Sequence, residues 1–319
     1  MPDIFGTILF PFKWLVSAIM VGFHEGLTFL GLPGESGWTW TLSIIGLVLV
    51  IRAALIPVFV KQIKAQRGMQ ALQPEMKKLQ TKYKGKTDQL SRQAMAQEQM
   101  ALYKSHGTNP FSACLPILIQ MPFFFSLFQV LSGVAQANQD GKGIGLLSAA
   151  QVKQFDESDI FGAPLSKAFL PQVQGGDPNV SVIVLSIIMI LAMIASQFIT
   201  QKQIMAKNMS EDAMASPFMR QQKMMLYILP LVFGIGGINF PIGVLIYWTT
   251  TNLWTMGQQF FVIRRMPTPG SPAYKEYMQR RVAKGLPLIG SKKAEPEVEE
   301  VIEPKGQRSQ PQRKNRRKK

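Results

Sequence analysis

The sequence has very few of the residues from which soluble enzymes build active sites and metal centres. It contains one cysteine and two histidines, and the cysteine, Cys114, lies in an apolar segment. An intramolecular disulfide and a metal site with several cysteines are therefore excluded. His24 and His106 are far apart in the chain, which argues against a histidine-based hydrolytic or metal centre. We expect no enzymatic activity, no metal and no cofactor.

Acidic residues are missing from the long apolar segments. We interpret five segments as membrane spans, because a bilayer core requires about 20 apolar residues in a helix. They are residues 42–60, 111–135, 180–201, 224–240 and 242–263. None of them contains Asp or Glu, and their interiors contain a single basic residue, Arg52.

Arg52 is thus a lone cation inside a predicted span. It lies nine residues from Lys61, roughly 13 Å along a helix, which is too far for its guanidinium to reach the headgroups comfortably. An arginine at the centre of a span costs about 3 kcal/mol on insertion scales, so it normally faces water, a partner charge or a substrate path. Because no span carries a counter-ion, we expect a wet cavity that receives acidic guests. The alternative is a structural arginine bonded to carbonyl groups of neighbouring helices.

Charge is distributed unevenly between the connecting loops. The chain is 47% hydrophobic with a net charge of +16, as expected for a polytopic membrane protein with basic loops. Residues 61–108 hold ten Lys or Arg against three acids, and residues 136–179 hold three against five. The positive-inside rule places the first loop in the cytoplasm and the second outside.

The basic loop 61–108 shows the period of two helices joined at Gly85. Apolar positions recur every three or four residues at Met69, Leu72, Met76, Leu79 and Tyr83, and then at Leu90, Ala94, Gln97 and Ala101. This pattern predicts a helical hairpin. Asp88 or Thr87 can cap the second arm, Gly107 can end it, and Pro74 should kink or restart the first arm. Its methionines, which form either the seam between the arms or an adaptable docking surface, are Met69, Met76, Met95 and Met100.

Residues 1–37 form a separate amino-terminal block. Residues 4–32 are apolar, but a polar stripe runs along one helical face at Lys13, Ser17, His24 and Thr28. The stripe favours a helix lying in the membrane interface over one that spans it. The Met-Pro-Asp start is not basic, so a cleaved secretory signal is not expected.

The last predicted span is unusually polar. It contains IYWTTTN (246–252) and two glutamines, Gln258 and Gln259. These groups suit a surface along which a peptide slides, or they hydrogen-bond one helix to another. The spans at 224–240 and 242–263 should be antiparallel neighbours, with the glycines near their turn allowing close approach.

Residues 264–319 read as a disordered basic tail. They hold sixteen Lys or Arg against six acids and few apolar residues. Such a segment binds polyanions, and anionic lipid and ribosomal RNA both fit.

Four stretches together resemble the YidC/Oxa/Alb membrane protein insertase family, in its actinobacterial form. They are IRAALIP (51–57), QALQPEMKKLQTKYKGK (70–86), NPFSACLPILIQMPFFFSLFQVL (109–131) and FPIGVLIYWTTTNLWTMGQQ (240–259). Each is weak alone, and jointly they are specific. One departure is Val48, where some relatives have a polar residue one turn before the arginine.

The resemblance implies an all-α polytopic membrane protein in which five core transmembrane helices surround a hydrophilic groove, within residues 38–263. It implies that the groove is open to the cytoplasm and to lipid and closed outside, in a bacterial plasma membrane. The carboxyl end would lie inside, and the amino end would lie outside if the first segment is interfacial. The expected groove residues are Arg52, Gln120, Gln197, Tyr247, Trp248 and Thr251.

The implied function is insertion and folding of integral membrane proteins. The partners would be nascent membrane proteins and the bilayer, with the Sec translocon, the signal recognition particle receptor and the ribosome as further candidates, and no DNA. The alternatives are a secondary transporter or channel for a small anion, although the sequence shows no internal repeat, and a scaffold for the assembly of other spans.

Overall fold

The computed structural model describes residues 4–107, 115–209 and 217–287, and the expected all-α architecture is confirmed. Its helices are α1 Ile4–Phe29, α2 Gly37–Ala54, α3 Ile56–Ala71, α4 Gln73–Lys82, α5 Gln89–Ser105, α6 Leu115–Gln139, α7 Ala149–Glu157, α8 Phe169–Gln174, α9 Val180–Asn208, α10 Pro217–Gly237, α11 Ile242–Arg265 and α12 Pro272–Ala283. One antiparallel hairpin joins β1 Asp159–Ile160 to β2 Ala163–Pro164.

Among the described residues, four helical segments are long and apolar enough to cross a membrane. They are Gly6–Phe29, Gly37–Ala54, Leu118–Gln139 and Val180–Asn208. The predicted span 242–263 falls within α11, and the predicted span 224–240 extends three residues beyond the end of α10 at Gly237. The polar run of α11 lowers its hydropathy. The chain is a multi-pass membrane protein.

Helix α1 packs beside α2 and α6. The Phe12 ring meets the Phe123 ring of α6 at 5.2 Å, and the Ser126 hydroxyl donates to the Leu9 carbonyl at 3.4 Å. On the other side, the His24 ring stacks on Trp40 of α2 at 3.8 Å. The polar stripe predicted on α1 therefore faces protein in part, since both Ser17 and His24 are buried.

The span predicted at 42–60 is not one continuous helix. Helix α2 ends at Ala54, Leu55 is its C-cap, and α3 begins at Ile56. Pro57 explains the break, because it has no N–H to donate to the carbonyl four residues earlier. Arg52 consequently lies in the last turn of α2.

The predicted helical hairpin is confirmed as α4 packed against α5. Asp88 caps α5 by accepting a hydrogen bond from the Ser91 N–H at 2.8 Å. Gly85 and Gly107 adopt positive φ angles of 84° and 62° at the two chain reversals. Pro74 lies in the first turn of α4, so it restarts the first arm as expected.

The face that α5 turns to α4 differs from the predicted one by one position. Leu90 is 78% exposed and Gln97 is exposed, whereas Met95 and Glu98 are half-buried. Helix α5 turns this face to α4 because Glu98 accepts hydrogen bonds from the Lys82 ammonium and the Tyr83 hydroxyl at 2.6 and 2.8 Å. A pattern built on alanine and glutamine gave too little contrast to show this.

The segment 136–179 forms a folded cap over the end of the bundle where α11 begins. It contains α7, the β1–β2 hairpin and α8. Its backbone bonds the turn between α10 and α11, with the Ile242 and Gly243 N–H groups donating to Lys167 and Leu165 at 2.9 Å each. The cap thus holds the start of α11 in place, where the sequence predicted only a loop.

The last two predicted spans, α10 and α11, meet near the turn that joins them, where the Phe233 and Trp248 rings lie 5.1 Å apart. Both helices also pack against α9. Gly234 of α10 faces Ile194 of α9, and a Cβ there would lie 2.5 Å from the isoleucine Cδ1. The sequence predicted that the glycines near the turn would bring α10 close to α11, whereas Gly234 brings α10 close to α9.

The basic tail is not disordered throughout. Residues 272–283 form α12. The Ser271 hydroxyl accepts a hydrogen bond from the Tyr274 N–H at 3.2 Å, and Gly285 ends the helix with φ 65°. Serine before proline at the start and glycine after the end are capping signals, and they predict this helix better than composition does. Residues 288–319 lie outside the described residues.

Candidate functional site: a lone arginine in the membrane core

Arg52 is enclosed by the helical bundle, with 8% of its surface exposed. Its guanidinium carbon lies 5.6 Å from the centroid of the Phe59 ring, a cation–π contact. Tyr247 of α11 lies near the guanidinium. Since Arg52 lies in the last turn of α2, the partial negative charge at that helix end favours it.

Within the described ranges, no carboxylate lies at ion-pair distance from Arg52; the ion pairs found there involve His24, Lys82, His106, Lys142 and Lys153. The absence of a counter-ion inferred from sequence therefore holds for that part of the chain. The guanidinium lies beside an aromatic ring, a helix end and a phenol, none of which carries a full negative charge. Such a group has capacity left for a visiting anion.

Tyr247 links the arginine to the second core helix. The Gln120 side-chain amide of α6 donates to the Tyr247 hydroxyl at 2.9 Å, and the phenol side chain is 5% exposed. Three helices, α2, α6 and α11, therefore contribute one polar group each to a small cluster. Thr251 lies one turn further along α11, on the same side as Tyr247.

Several buried polar atoms on α6, α9 and α11 have no hydrogen-bond partner among the described residues. They are Gln120 Oε1, Gln197 Oε1, Thr249 Oγ1, Thr251 Oγ1 and Asn252 Nδ2. Buried polar atoms are satisfied in nearly all proteins, and leaving one unpaired costs about 1–3 kcal/mol. These atoms lie on α6, α9 and α11, so the interior is suited to water or to a polar polypeptide.

An aromatic cluster lies next to the polar one. The Trp248 ring contacts Phe124, Phe233 and Phe240 at 5.2, 5.1 and 5.5 Å, and Phe124 also contacts Tyr247 at 6.4 Å. Trp248 is half-buried. This aromatic cluster lies between the Arg52 cluster and the cap. Its Phe240 is two residues before Ile242, which bonds the cap, and its Phe124 contacts Tyr247.

The structure brings together Arg52, Gln120 and Tyr247, with Trp248 beside them. Gln197 lies on α9, which packs against α11. Of the hairpin methionines, Met76 is buried at 5% exposure and Met100 is 42% exposed, while Met69 and Met95 are half-buried.

Sequence reasoning missed Phe59 and the aromatic cluster. The run FFFSLF (123–128) was the available signal, since it places Phe124 and Phe128 one helical turn apart. Within the described residues, no group of three His, Cys, Asp or Glu could hold a metal ion.

Comparison with known proteins shows the family to which the chain belongs. The model of the 60Kd inner membrane protein family matches residues 32–269. A protein of Streptomyces avermitilis named membrane protein insertase YidC is 48% identical over 284 residues, covering 87% of this chain and 62% of its own length. One of the same name from Tropheryma whipplei strain Twist is 44% identical over 319 residues, covering 98% and 97%.

This chain therefore spans less than two thirds of the Streptomyces relative and nearly all of the Tropheryma relative. A crystal structure described as an active YidC insertase with its first transmembrane domain resolved is similar with a TM-score of 0.45 and 20% identity, covering 82% of this chain and 47% of that one. The family model and the two relatives carry the assignment: this chain belongs to the 60Kd inner membrane protein family, in which relatives are named membrane protein insertase YidC.

Proposed function

We propose that this protein inserts other membrane proteins into the bilayer and helps them fold, as the name of its relatives indicates. The observation that carries the proposal is Arg52, a buried cation in the membrane core with no carboxylate partner among the described residues. A resident counter-ion would compete with a client, and its absence leaves the charge available to an acidic or polar client segment.

The surrounding polar groups would guide the client after it enters. Unpaired donors and acceptors on α6, α9 and α11 can bind water or a peptide backbone in turn, and none binds permanently because none is ionised. Each exchange replaces one hydrogen bond by another, so a peptide can slide along α11 without a deep energy minimum.

Partitioning of the client supplies the free energy. Each Leu or Phe of a client helix contributes roughly −0.3 to −0.6 kcal/mol on entering the bilayer centre. The protein needs only to shorten the low-dielectric distance that the polar end of the client must cross. No nucleotide enters this mechanism.

The topology that fits this function places the hairpin and the carboxyl tail in the cytoplasm of a bacterium, where clients are synthesised. The basic excess of residues 61–108 supports that side. The cap formed by 136–179 then closes the outer end. The hairpin would receive clients or a targeting factor, and the tail would hold ribosomes or anionic lipid; cooperation with a Sec translocon is compatible with the same arrangement.

We predict that Arg52→Ala reduces insertion of a single-span client with an acidic outer tail by an order of magnitude or more. Losing even 1.4 kcal/mol of attraction corresponds to tenfold in rate. The measurement is the fraction of client protected from protease in vesicles that contain the purified protein. Arg52→Lys keeps the charge and should retain most of the insertion.

Lys142→Ala is the matched control, because it removes an exposed cation of the cap, outside the spans, and it should leave insertion unchanged. Normal insertion of the acidic client by Arg52→Ala would remove the arginine from the mechanism. Measurable flux of a small anion through protein-containing vesicles, lost in the same variant, would favour a transporter or channel instead.

A further inference from the structure

The β1–β2 hairpin of the cap ends in a turn that places a phenylalanine in an unfavourable backbone conformation. Phe161 and Gly162 form the two-residue turn, with φ angles of 54° and 76°. Positive φ at both central positions is the geometry in which Asn-Gly is the preferred pair. Phe161 is the one non-glycine residue with positive φ among the described residues, so folding alone would favour another side chain at this position.

The strained side chain is not used to fill the core. Phe161 is 72% exposed, and its one ring contact is with Trp38, which is itself 50% exposed. The two rings meet edge to face at 5.3 Å. Two large aromatic rings therefore form an exposed pair, which we call the outer aromatic pair.

The position of this pair relative to the membrane follows from its neighbours. Trp38 is the second residue of α2, and the segment Gly37–Ala54 is long and apolar enough to span. The hairpin backbone also lies against the first residue of α2, since a Cβ on Gly37 would clash with the Asp159 carbonyl. The outer aromatic pair is thus fixed at the outer end of a span.

A second span begins beside the same turn. The Asn179 side-chain amide donates to the Gly162 carbonyl at 3.2 Å, and its oxygen caps α9 by accepting from the Val182 N–H at 3.1 Å. Val180, the first residue of α9, is 67% exposed. The turn therefore lies between the outer ends of α2 and α9, and this is the level at which aromatic residues mark the boundary of a bilayer.

We propose that Phe161 and Trp38 insert into the outer leaflet of the membrane, at the boundary between headgroups and acyl chains, and anchor the cap to the lipid. The occupant of this surface is lipid because the exposed rings continue the apolar surface of two spans that lipid must cover. The strain at Phe161 is tolerated because an asparagine there would relieve the turn but lose the anchor.

The anchor fixes the depth of the arginine as well. Trp38 and Arg52 are fourteen residues apart on one unbroken helix, about 21 Å along its axis. With Trp38 at the outer boundary, Arg52 lies in the inner half of a hydrocarbon core about 30 Å thick. This consequence rests on the proposed function, whereas the lipid contact itself does not.

The experiment measures contact with lipid directly. The full chain, with Cys114 replaced by alanine, carries the single substitution Phe161→Cys labelled with an environment-sensitive fluorophore, and is reconstituted in phosphatidylcholine vesicles. Lys153→Cys is the matched control, because Lys153 is exposed on α7 of the same cap. Lipids brominated high on the acyl chain should quench the label at 161 several-fold more than the label at 153, and aqueous iodide should do the reverse.

Two outcomes would overturn the proposal. Equal quenching by iodide at both positions would place the Phe161 ring in water. Shielding from both quenchers, lost when the protein is diluted into more lipid, would show that a second copy covers the surface.

A label-free variant guards against loss of folding in the labelled protein. Phe161→Trp keeps a large ring and should add a lipid-quenched component to the tryptophan emission of the natural chain. No added quenching in a folded Phe161→Trp protein would contradict the anchor. Neither readout depends on insertion activity, so a failure of the anchor and a failure of the proposed function are distinguishable.

Discussion

The basic residues Arg52 and Lys82 differ in whether a carboxylate lies beside them. Arg52 is buried beside Phe59 and Tyr247 without a carboxylate partner among the described residues. Lys82, in contrast, is fully paired, since both oxygens of Glu98 accept hydrogen bonds from its ammonium at 2.6 and 2.7 Å. Under the proposed function, the first arrangement leaves a charge available to a client, whereas the second joins α4 to α5.

The pair between Lys82 and Glu98 predicts a pH dependence of the cytoplasmic hairpin. Hydrogen bonds from Lys82 and Tyr83 lower the pKa of Glu98, and the bond to Glu98 raises the pKa of Lys82. A carboxyl with a lowered pKa contributes stability that is present above its unfolded pKa of about 4.3 and is lost as the pH falls through the folded value. The lysine contribution is present below about 10.4 and is lost as the pH rises through the raised value.

We therefore expect Glu98→Gln to reduce hydrogen-exchange protection of α4 and α5 at pH 7, and the difference from the natural chain to shrink as the pH falls and the Glu98 carboxylate of the natural chain is protonated. The effect should be small, because water screens the attraction between these two side chains. Glu157→Gln, which removes the exposed pair with Lys153, should leave the hairpin unchanged. Equal protection in Glu98→Gln and the natural chain at pH 7 would show that apolar packing alone holds the arms.

At the scale of elements, α1 decides how the amino end is oriented. The polar stripe of its sequence favours an interfacial helix, but the segment Gly6–Phe29 is long and apolar enough to cross. The helix also packs against α6 through Phe12 and against α2 through Phe23, whose ring lies over Gly46. We infer that α1 crosses the membrane antiparallel to α2, with its amino end in the cytoplasm.

The orientation is measurable with a membrane-impermeant maleimide on intact cells. In a Cys114→Ala background, Asp3→Cys should react only after the cells are opened, because a spanning α1 places it inside. Leu30→Cys, just after α1 and 75% exposed at that position, should react from outside. Lys142→Cys and Leu90→Cys report the cap and the hairpin as controls.

Reaction of Asp3→Cys in intact cells, at the rate of the Lys142→Cys control, would instead establish the interfacial helix.

The helix ends that a proline or a capping residue sets are better determined by the sequence than the orientation of α1. Pro74 and Asp88 act on their own turns, so α4 and α5 begin close to where these residues predict.

At the scale of the whole molecule, the cap and the basic hairpin lie at opposite ends of α2. The cap contacts the first residue of α2, since a Cβ on Gly37 would clash with the Asp159 carbonyl, whereas the hairpin follows the last turn of α2 by way of α3. Residues 61–108 hold ten Lys or Arg against three acids. Under the proposed function, this asymmetry would attract an acidic client at one end only and so give insertion a direction.

We predict that the end of the tail provides salt-sensitive binding to a polyanion. Replacing the basic residues of RKNRRKK (313–319) by glutamine should weaken co-sedimentation of the detergent-solubilised protein with ribosomes. Binding of the natural chain should also fall steeply as salt rises, since each neutralised phosphate releases counterions. Anionic vesicles, assayed in parallel, separate lipid from RNA as the partner. Unchanged sedimentation with both would leave the tail without this role.

The sequence by itself determined the properties that consecutive residues share. Apolar length marked the spans, loop charge alternated with them, and local capping residues placed the arms of the hairpin, because each depends only on neighbours in the chain. The lone charge of Arg52 was equally visible, since its isolation is a matter of composition.

Only the tertiary structure decided which residues meet. Gln120 and Tyr247 are 127 positions apart, and their hydrogen bond depends on how α6 and α11 pack. The packing of α9 against both α10 and α11 and the contact between Phe161 and Trp38 also depend on the tertiary structure. Such contacts arise from fitting all helices and the cap together, and no short stretch of sequence carries that information.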